Sequence, residues 1–375
     1  MKITIVAGAR PNFIKIAPLI KEIKKVQVSE NIFYYRLVHT GQHYDAKMSD
    51  TFFRELNIPN PDINLECGGG TQAEQTAAIM IAFEKDLIRH PADLVIVVGD
   101  VTSTMACSIV AKKMNTKVAH IEAGIRSFDL SMPEEINRMV TDSIADFFFT
   151  TTELAGNNLI KNGADEDQIF FVGNIMIDTL LANRKSFKPP PIFNQLSLQV
   201  GRYLVLTMHR PANVDNPGQL KLILETIFNN VEQLPVIFPL HPRTAKVFFD
   251  LNIESPNMYI TDPMSYLEFN YLVSQAKAVI TDSGGITEEA TVFGVPCITL
   301  RNNTERPETC TIGTNELAGN NSVNIKNALD KLMKGGWKKG AIPSLWDGNT
   351  AKRIVEKIRS LDLRIEEKPK IGQAI

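Results

Sequence analysis

The sequence predicts an α/β protein built as two Rossmann-like α/β/α domains with a cleft between them. Three observations carry that reading. Short β-branched runs alternate with helical patterns, the βαβα order of a mostly parallel sheet covered on both faces. The chain has 375 residues, more than the roughly 250–300 that one hydrophobic core serves. Midway, Lys188-Pro189-Pro190-Pro191 cannot continue a helix, and the alternating pattern restarts after it.

The elements follow in order. A first strand is read at 3–6. Its apolar run from Met1 to Gly8 is too short for a secretory signal, and Arg10 follows at once. Further strands fall at 34–39, 93–98, 117–121 and 147–151. A helix opens at Thr71, where Glu74 three positions on completes a capping-box pattern, and it runs to about Ile88. The first domain spans 1–176. The second, 177–355, carries strands at 203–207, 235–239, 258–261, 278–281 and 296–299. A last helix is read at 350–360. The segment 356–375 returns to the first domain and ends in a mobile tail from about Glu366.

Composition excludes several classes. Lys plus Arg is 40 against 42 for Asp plus Glu, a formal charge of −2, so no broad basic surface for nucleic acid is expected. Cys67, Cys107, Cys297 and Cys310 form no C-x-x-C pair and read as reduced core thiols. No apolar run approaches the ~20 residues that span a bilayer. A cytoplasmic protein without membrane contact is expected.

In open parallel sheets, ligands bind outside the carboxyl ends of the strands. The residues there are pointed. Gly8-Ala9-Arg10-Pro11 and Lys15 follow the first strand, and Gly99-Asp100 follow the third. Glu122, Gly124 and Arg126 follow the fourth. In the second half, His209-Arg210, then His241 with Arg243, then Asp282-Ser283-Gly284-Gly285 occupy the same kind of position. Both domains therefore place charged or glycine-rich loops at one edge. His241 is counted with the substrate-binding residues.

Ser283-Gly284-Gly285 leads straight into a helix with Glu288 and Glu289 in its first turn. Glycines let backbone N–H groups approach an anion, and a helix N-terminus favours negative charge. A plain strand-to-helix turn capped by Ser283 is the simpler alternative. Arg10, Lys15, His209 and Arg306 as anion partners favour a diphosphate. Glu289 would repel phosphate but can accept hydrogen bonds from ribose hydroxyls. Asp100, Glu122 and Glu134 suit proton removal and return at one sugar carbon. Helix capping is the alternative for Asp100 and Glu134. It fits Glu122 less well, because Glu is a poor cap. His120-Ile121-Glu122 matches the H-x-E of zinc deaminases, but its P-C-x-x-C partner is missing, so no metal site is expected. No G-x-G-x-x-G or P-loop pattern occurs.

Taken in order, Gly8-Ala9-Arg10-Pro11, Gly99-Asp100, His120-Ile121-Glu122-Ala123-Gly124, Pro133-Glu134-Glu135-Ile136-Asn137-Arg138, His209-Arg210, Asp282-Ser283-Gly284-Gly285 and Thr304-Glu305-Arg306-Pro307-Glu308 are specific as a set. Over roughly residues 1–360 the chain resembles the non-hydrolysing UDP-N-acetylglucosamine 2-epimerases. The resemblance implies the GT-B fold. It implies interconversion of UDP-N-acetylglucosamine and UDP-N-acetylmannosamine through UDP elimination, a 2-acetamidoglucal and re-addition, with neither metal nor nicotinamide cofactor. It assigns Asp100, Glu122 and Glu134 to acid/base positions and His209 to the departing phosphate. Arg10, Ser283, Gly284, Gly285, Glu289 and Arg306 fall at UDP-binding positions, and Lys15 and Arg138 line the same cleft. A homodimer serving cell-surface polysaccharide biosynthesis is the expected setting.

Departures from the commonest pattern are Ala9, Asn12, Ala212 and Thr287. The segment that in many members contacts an activating second nucleotide sugar is here Gln42-His43-Tyr44. The opening Gly-Ala-Arg-Pro also occurs in relatives acting on UDP-diacetamido-glucuronic acid, which keeps that substrate open. A glycosyltransferase, a hydrolytic epimerase and a non-catalytic nucleotide-sugar sensor are the competing readings. Three carboxylates at the sugar argue against the first and the last.

Overall fold

The computed structural model describes residues 1–361 except Asn31, 43–52, Arg54 and His241. The chain divides into two compact units: Met1–Ile175 with the stretch from Asn349 on, and Met176–Gly348. The return to the first unit comes at Asn349 rather than near residue 355. Asn349 stands at the N-cap position of the last helix, whose first residues, Thr350 and Ala351, are already buried. The proline run lies within the second unit. Pro191 there opens a short helix, as proline does readily at a first helical position, and Phe193 of that helix meets the Tyr203 ring edge-on.

Among the described residues, the first unit holds seven parallel strands. They are β1 (Lys2–Ala7), β2 (Tyr34–His39), β3 (Ile63–Asn64), β4 (Leu94–Val98), β5 (Lys117–Ile121), β6 (Phe147–Thr150) and β7 (Ile169–Phe171), in the order β3-β2-β1-β4-β5-β6-β7. Every residue of β4 is buried, as expected of a central strand covered on both faces. The covering helices include α1 (Arg10–Glu30), α2 (Gln72–Arg89), α3 (Thr102–Lys113) and α4 (Pro133–Ile144). The capping box of α2 forms: Glu74 N–H donates to Thr71 Oγ1 at 3.2 Å, and Thr71 N–H donates to Glu74 Oε2 at 2.8 Å. Ile79, Phe83 and Leu87 of α2 pack with Cys107 and Val110 of α3 on Val95 and Val97.

The second unit repeats the plan. Its strands are β8 (Leu204–Thr207), β9 (Val236–Pro239), β10 (Met258–Thr261), β11 (Ala278–Thr281), β12 (Cys297–Thr299) and β13 (Asn315–Leu317), all parallel, in the order β10-β9-β8-β11-β12-β13. The main helices are α5 (Pro217–Asn229), α6 (Tyr266–Gln275), α7 (Gly284–Phe293) and α8 (Ser322–Met333). One core packs Leu220, Ile223 and Leu224 of α5 with Ile325 and Leu329 of α8 on Leu204 and Leu206. The other packs Leu272 and Val273 of α6 on Val205 and Val279. The chain then returns to the first unit as α9 (Thr350–Ser360), which packs on α1. Lys357 Nζ lies 4.2 Å from the Phe170 ring centroid, and Arg359 Nη2 donates to Glu30 Oε2 at 2.6 Å.

In each sheet the strand order reverses beside the first strand, between β1 and β4 and between β8 and β11. Such switch points open the crevice where open α/β sheets bind ligands. Cys67, Cys107 and Cys297 are buried, Cys310 is half-buried, and all four are free. Among the described residues, no helix is long and apolar enough to cross a membrane.

Candidate functional site

At the first switch point, Val98 pairs with Ile121, so Gly99 and Glu122 leave neighbouring strands at one level. Both have φ of +69°. Glycine takes that conformation freely, whereas for glutamate it is strained, and strain of this kind clusters at functional sites. Glu122 is also buried, at 3% exposure. Its carboxylate pairs with the ammonium of Lys15 from α1. A Cβ at Gly99 would stand 3.0 Å from Lys15 Nζ, so glycine there also makes room for this pair. Asn12 shapes the loop beneath. Its Oδ1 accepts the N–H groups of Gly8 and Ala9 at 3.0 Å each, and its Nδ2 donates to Val98 O at 2.8 Å.

Asp100 does not cap α3; that position belongs to Val101. Instead its Oδ2 accepts from Arg138 Nη1 at 2.6 Å. Arg138 is in turn held by Glu135, through Nε at 3.0 Å and Nη2 at 2.8 Å. Glu135 also accepts the N–H groups of Ser127 and Phe128, both at 3.0 Å. Burial alone would raise the Glu135 carboxyl; those donors and Arg138 outweigh it and hold it below its usual range. Glu134, next to it in the first turn of α4, is exposed. Arg10 opens α1 half-buried; burial lowers its guanidinium, with Glu55 opposing. Among the described residues, no group of three or more His, Cys, Asp or Glu is placed to hold a metal ion.

At the second switch point, Asp282 is fully buried. It accepts the N–H groups of His209 and Arg210 at 3.0 and 2.9 Å, and Asn213 Nδ2 at 3.1 Å. His209 Nδ1 lies 2.9 Å from Asp282 Oδ1, which fixes the ring of a side chain that is 41% exposed. Burial would raise the Asp282 carboxyl, but His209 and the backbone donors bring it below its usual range.

Ser283 stands at the N-cap of α7, yet its hydroxyl makes no capping bond. A Cβ at Gly284 would come no nearer than 3.9 Å to Arg301 and Glu305, and one at Gly285 no nearer than 3.9 Å to Met176. Neither glycine has positive φ. The fold thus leaves room for a side chain at both positions. Because α7 begins at Gly284, Glu288 and Glu289 lie in its second turn, not its first, so neither carboxylate stands at the helix start. Glu288 Oε1 takes Arg306 Nε at 2.5 Å. Arg301 holds Glu305 at 2.7 and 3.0 Å; against the upward push of burial, Arg301 and Arg210 bring that carboxyl down to about 2.

Glu289 is different. Burial pushes its carboxyl up to about 7, against Asn270 Nδ2 at 3.4 Å and the Tyr266 hydroxyl. Between its ordinary value of 4.5 and about 7, the folded chain keeps a proton that the unfolded chain has lost. Stability from this group is therefore greatest at low pH and is lost as pH rises through about 7. Wild type is expected to lose about 2 kcal/mol relative to Glu289→Gln between about pH 5 and pH 7. Urea titrations of both proteins across that range measure this; a constant difference would place the carboxyl in its ordinary range.

The structure thus gathers Lys15, Glu122, Asp100 and Arg138 at one switch point. It gathers His209, Ser283, Gly284, Gly285 and Arg306 around the other, with Glu289 one turn deeper. His241, and His43-Tyr44 of the activator segment, lie outside the described residues. Gln42 is spent on α3, accepting Ser103 N–H at 3.1 Å and Oγ at 2.8 Å. Sequence reasoning quoted Glu135 and Asp282 within motifs but gave neither them nor Asp142 a supporting role. Two signals were present: the i,i+3 spacing of Glu135 to Arg138, and the place of Asp282 directly after its strand.

A model of the family described as UDP-N-acetylglucosamine 2-epimerase matches residues 25–359. The UDP-N-acetylglucosamine 2-epimerase of Methanocaldococcus jannaschii is 42% identical over 368 residues, 95% of this chain and 98% of that protein. The UDP-2,3-diacetamido-2,3-dideoxy-D-glucuronate 2-epimerase of Pseudomonas aeruginosa is 40% identical over 322 residues, 85% of this chain and 88% of that protein. Among solved structures, the M. jannaschii enzyme in complex with UDP-GlcNAc and UDP superposes with a TM-score of 0.85 at 41% identity, covering 96% of this chain and 99% of that one. The Neisseria meningitidis UDP-GlcNAc 2-epimerase bound to UDP-GlcNAc gives 0.87 at 32%, covering 96% and 100%.

Proposed function

This chain belongs to the UDP-N-acetylglucosamine 2-epimerase family, and from that membership we propose that it interconverts UDP-N-acetylglucosamine and UDP-N-acetylmannosamine without net hydrolysis. The observation that carries the reading is Glu122, a buried, strained carboxylate beside an ammonium at a switch point. In the first step a carboxylate takes the C2 proton, the C1–O bond to the β-phosphate breaks, and its electron pair leaves with UDP. The C2–H pair becomes the C1=C2 bond of a 2-acetamidoglucal. A second carboxylate then protonates C2 on the opposite face while the diphosphate oxygen returns to C1. The C2 proton is weakly acidic, so base and leaving-group stabilisation must act together.

Asp100, Glu122 and Glu134 are the proposed acid/base groups. Lys15 and Arg138 set the charge around the first two. On the other side of the reaction, the Ser283-Gly284-Gly285 helix start, Arg306, Arg10 and His209 take the diphosphate, His241 assists, and Glu289 takes the ribose. What supports the nucleotide assignment is the glycine pair whose absent side chains the fold itself does not require.

The 40% identity to the Pseudomonas relative favours a second reading, in which the substrate is the corresponding UDP-diacetamido-uronic acid. Proton NMR in deuterated water tests both substrates. The expected result is the C2 epimer carrying deuterium at C2, with no accumulation of free sugar. Product with protium retained at C2, or free sugar plus UDP, would overturn the mechanism; turnover of the diacetamido-uronic acid alone would select the second reading.

A further inference from the structure

His120 is fully buried at the end of β5, flanked by Ala119 and Ile121, where packing alone would favour an apolar side chain. Both ring nitrogens are used. Nε2 lies 2.8 Å from Gly99 O, and because a carbonyl only accepts, Nε2 carries the hydrogen. Nδ1 lies 2.7 Å from Asp142 Oδ1. The other Asp142 oxygen takes Gly124 N–H at 3.1 Å and Arg126 Nη1 at 2.6 Å. Burial alone would raise the Asp142 carboxyl; His120 and Arg126 hold it below its usual range.

The placement is specific. Gly99 turns out of the sheet with positive φ, so its carbonyl leaves the strand ladder and needs another partner. His120 supplies it, while Gly99 N–H donates to Ile121 O at 3.0 Å. The peptide that starts Asp100 is therefore fixed from β5. On the far side of Glu122, Asp142 fixes Gly124. The pair brackets Glu122 and sets the direction from which Asp100 departs.

We propose that His120, seated by Asp142, is a positioning residue for the acid/base carboxylates Asp100 and Glu122; the proposal rests on the epimerase reading above. Its two contacts can be separated. The amide nitrogen of asparagine stands where Nδ1 stands and that of glutamine where Nε2 stands. His120→Asn keeps the Asp142 contact and loses Gly99; His120→Gln does the reverse.

The test is kcat, KM, C2 deuterium exchange and UDP affinity for wild type and both variants. His120→Asn is expected to lower kcat on the order of 10²-fold, the scale of a 1 Å misplacement, with KM and UDP affinity within about two-fold. His120→Gln is expected to stay within about five-fold of wild type in kcat, since the Gly99 contact survives. A His120→Asn enzyme near wild type, or a glutamine variant that falls as far, overturns the proposal. If the asparagine variant does not fold, the folded glutamine variant alone decides by the same criterion. Absence of C2 exchange in wild type would instead overturn the epimerase reading, and this inference with it.

Discussion

Replacing Glu122 by glutamine is expected to lower kcat about 10²–10⁴-fold, the usual cost of losing a general acid or base. UDP affinity should change little, because the residues assigned to the nucleotide, Arg10 apart, belong to the other unit. Glutamine matches the glutamate in volume and can follow the same backbone path. It does leave the Lys15 ammonium, itself buried, without its counter-charge. The Lys15→Met, Glu122→Gln double variant removes that complication. Both variants should bind UDP by calorimetry and show negligible C2 exchange. If Glu122→Gln exchanges C2 at the wild-type rate, Glu122 supports the turn and does no proton transfer. If the folded protein no longer binds UDP, its role is nucleotide recognition.

Asp282→Ala is expected to destabilise the second unit by about 3–5 kcal/mol, the scale of removing one partner from a buried charged network. Two backbone N–H groups, the Asn213 amide and the His209 ring all converge on this one carboxylate. Alanine removes this shared, fully buried acceptor from all of them at once. Asp282→Asn keeps one oxygen and should cost less. Urea denaturation followed by circular dichroism measures the difference. A loss below about 1 kcal/mol for alanine would show that the donors find other partners. A stable Asp282→Asn enzyme should still bind UDP less tightly, since His209 would lose the charge that orients it.

The central strands were most legible, because they are runs of buried β-branched residues, as in Val95-Ile96-Val97-Val98. β3, β7 and β13 were not: two or three residues show no period, and unlike the equally short β12 they are not buried throughout. The strand-end residues were legible for a topological reason: in a parallel sheet the polar residue after an apolar run faces the ligand side. Legibility stopped where a role depends on distant partners. His120 and Asp142 are 22 positions apart, and His209 and Asp282 are 73. Glu134 and Glu135 show the limit most sharply. They are adjacent and chemically identical, yet one is exposed and the other is buried beneath Arg138. Only the rotation of α4 against its sheet separates them.

The position of α9 bears on how the chain is made. Ala351, Ile354, Val355 and Ile358 complete the first unit by covering α1, but they are synthesised after the whole second unit. On a ribosome moving at about 5–20 residues per second, the first unit waits on the order of ten seconds for its last helix. Through that interval the apolar face of α1 that α9 will cover stays open. The second unit has no such delay, since Met176–Gly348 is one uninterrupted stretch. The half that emerges first is therefore the half that finishes last.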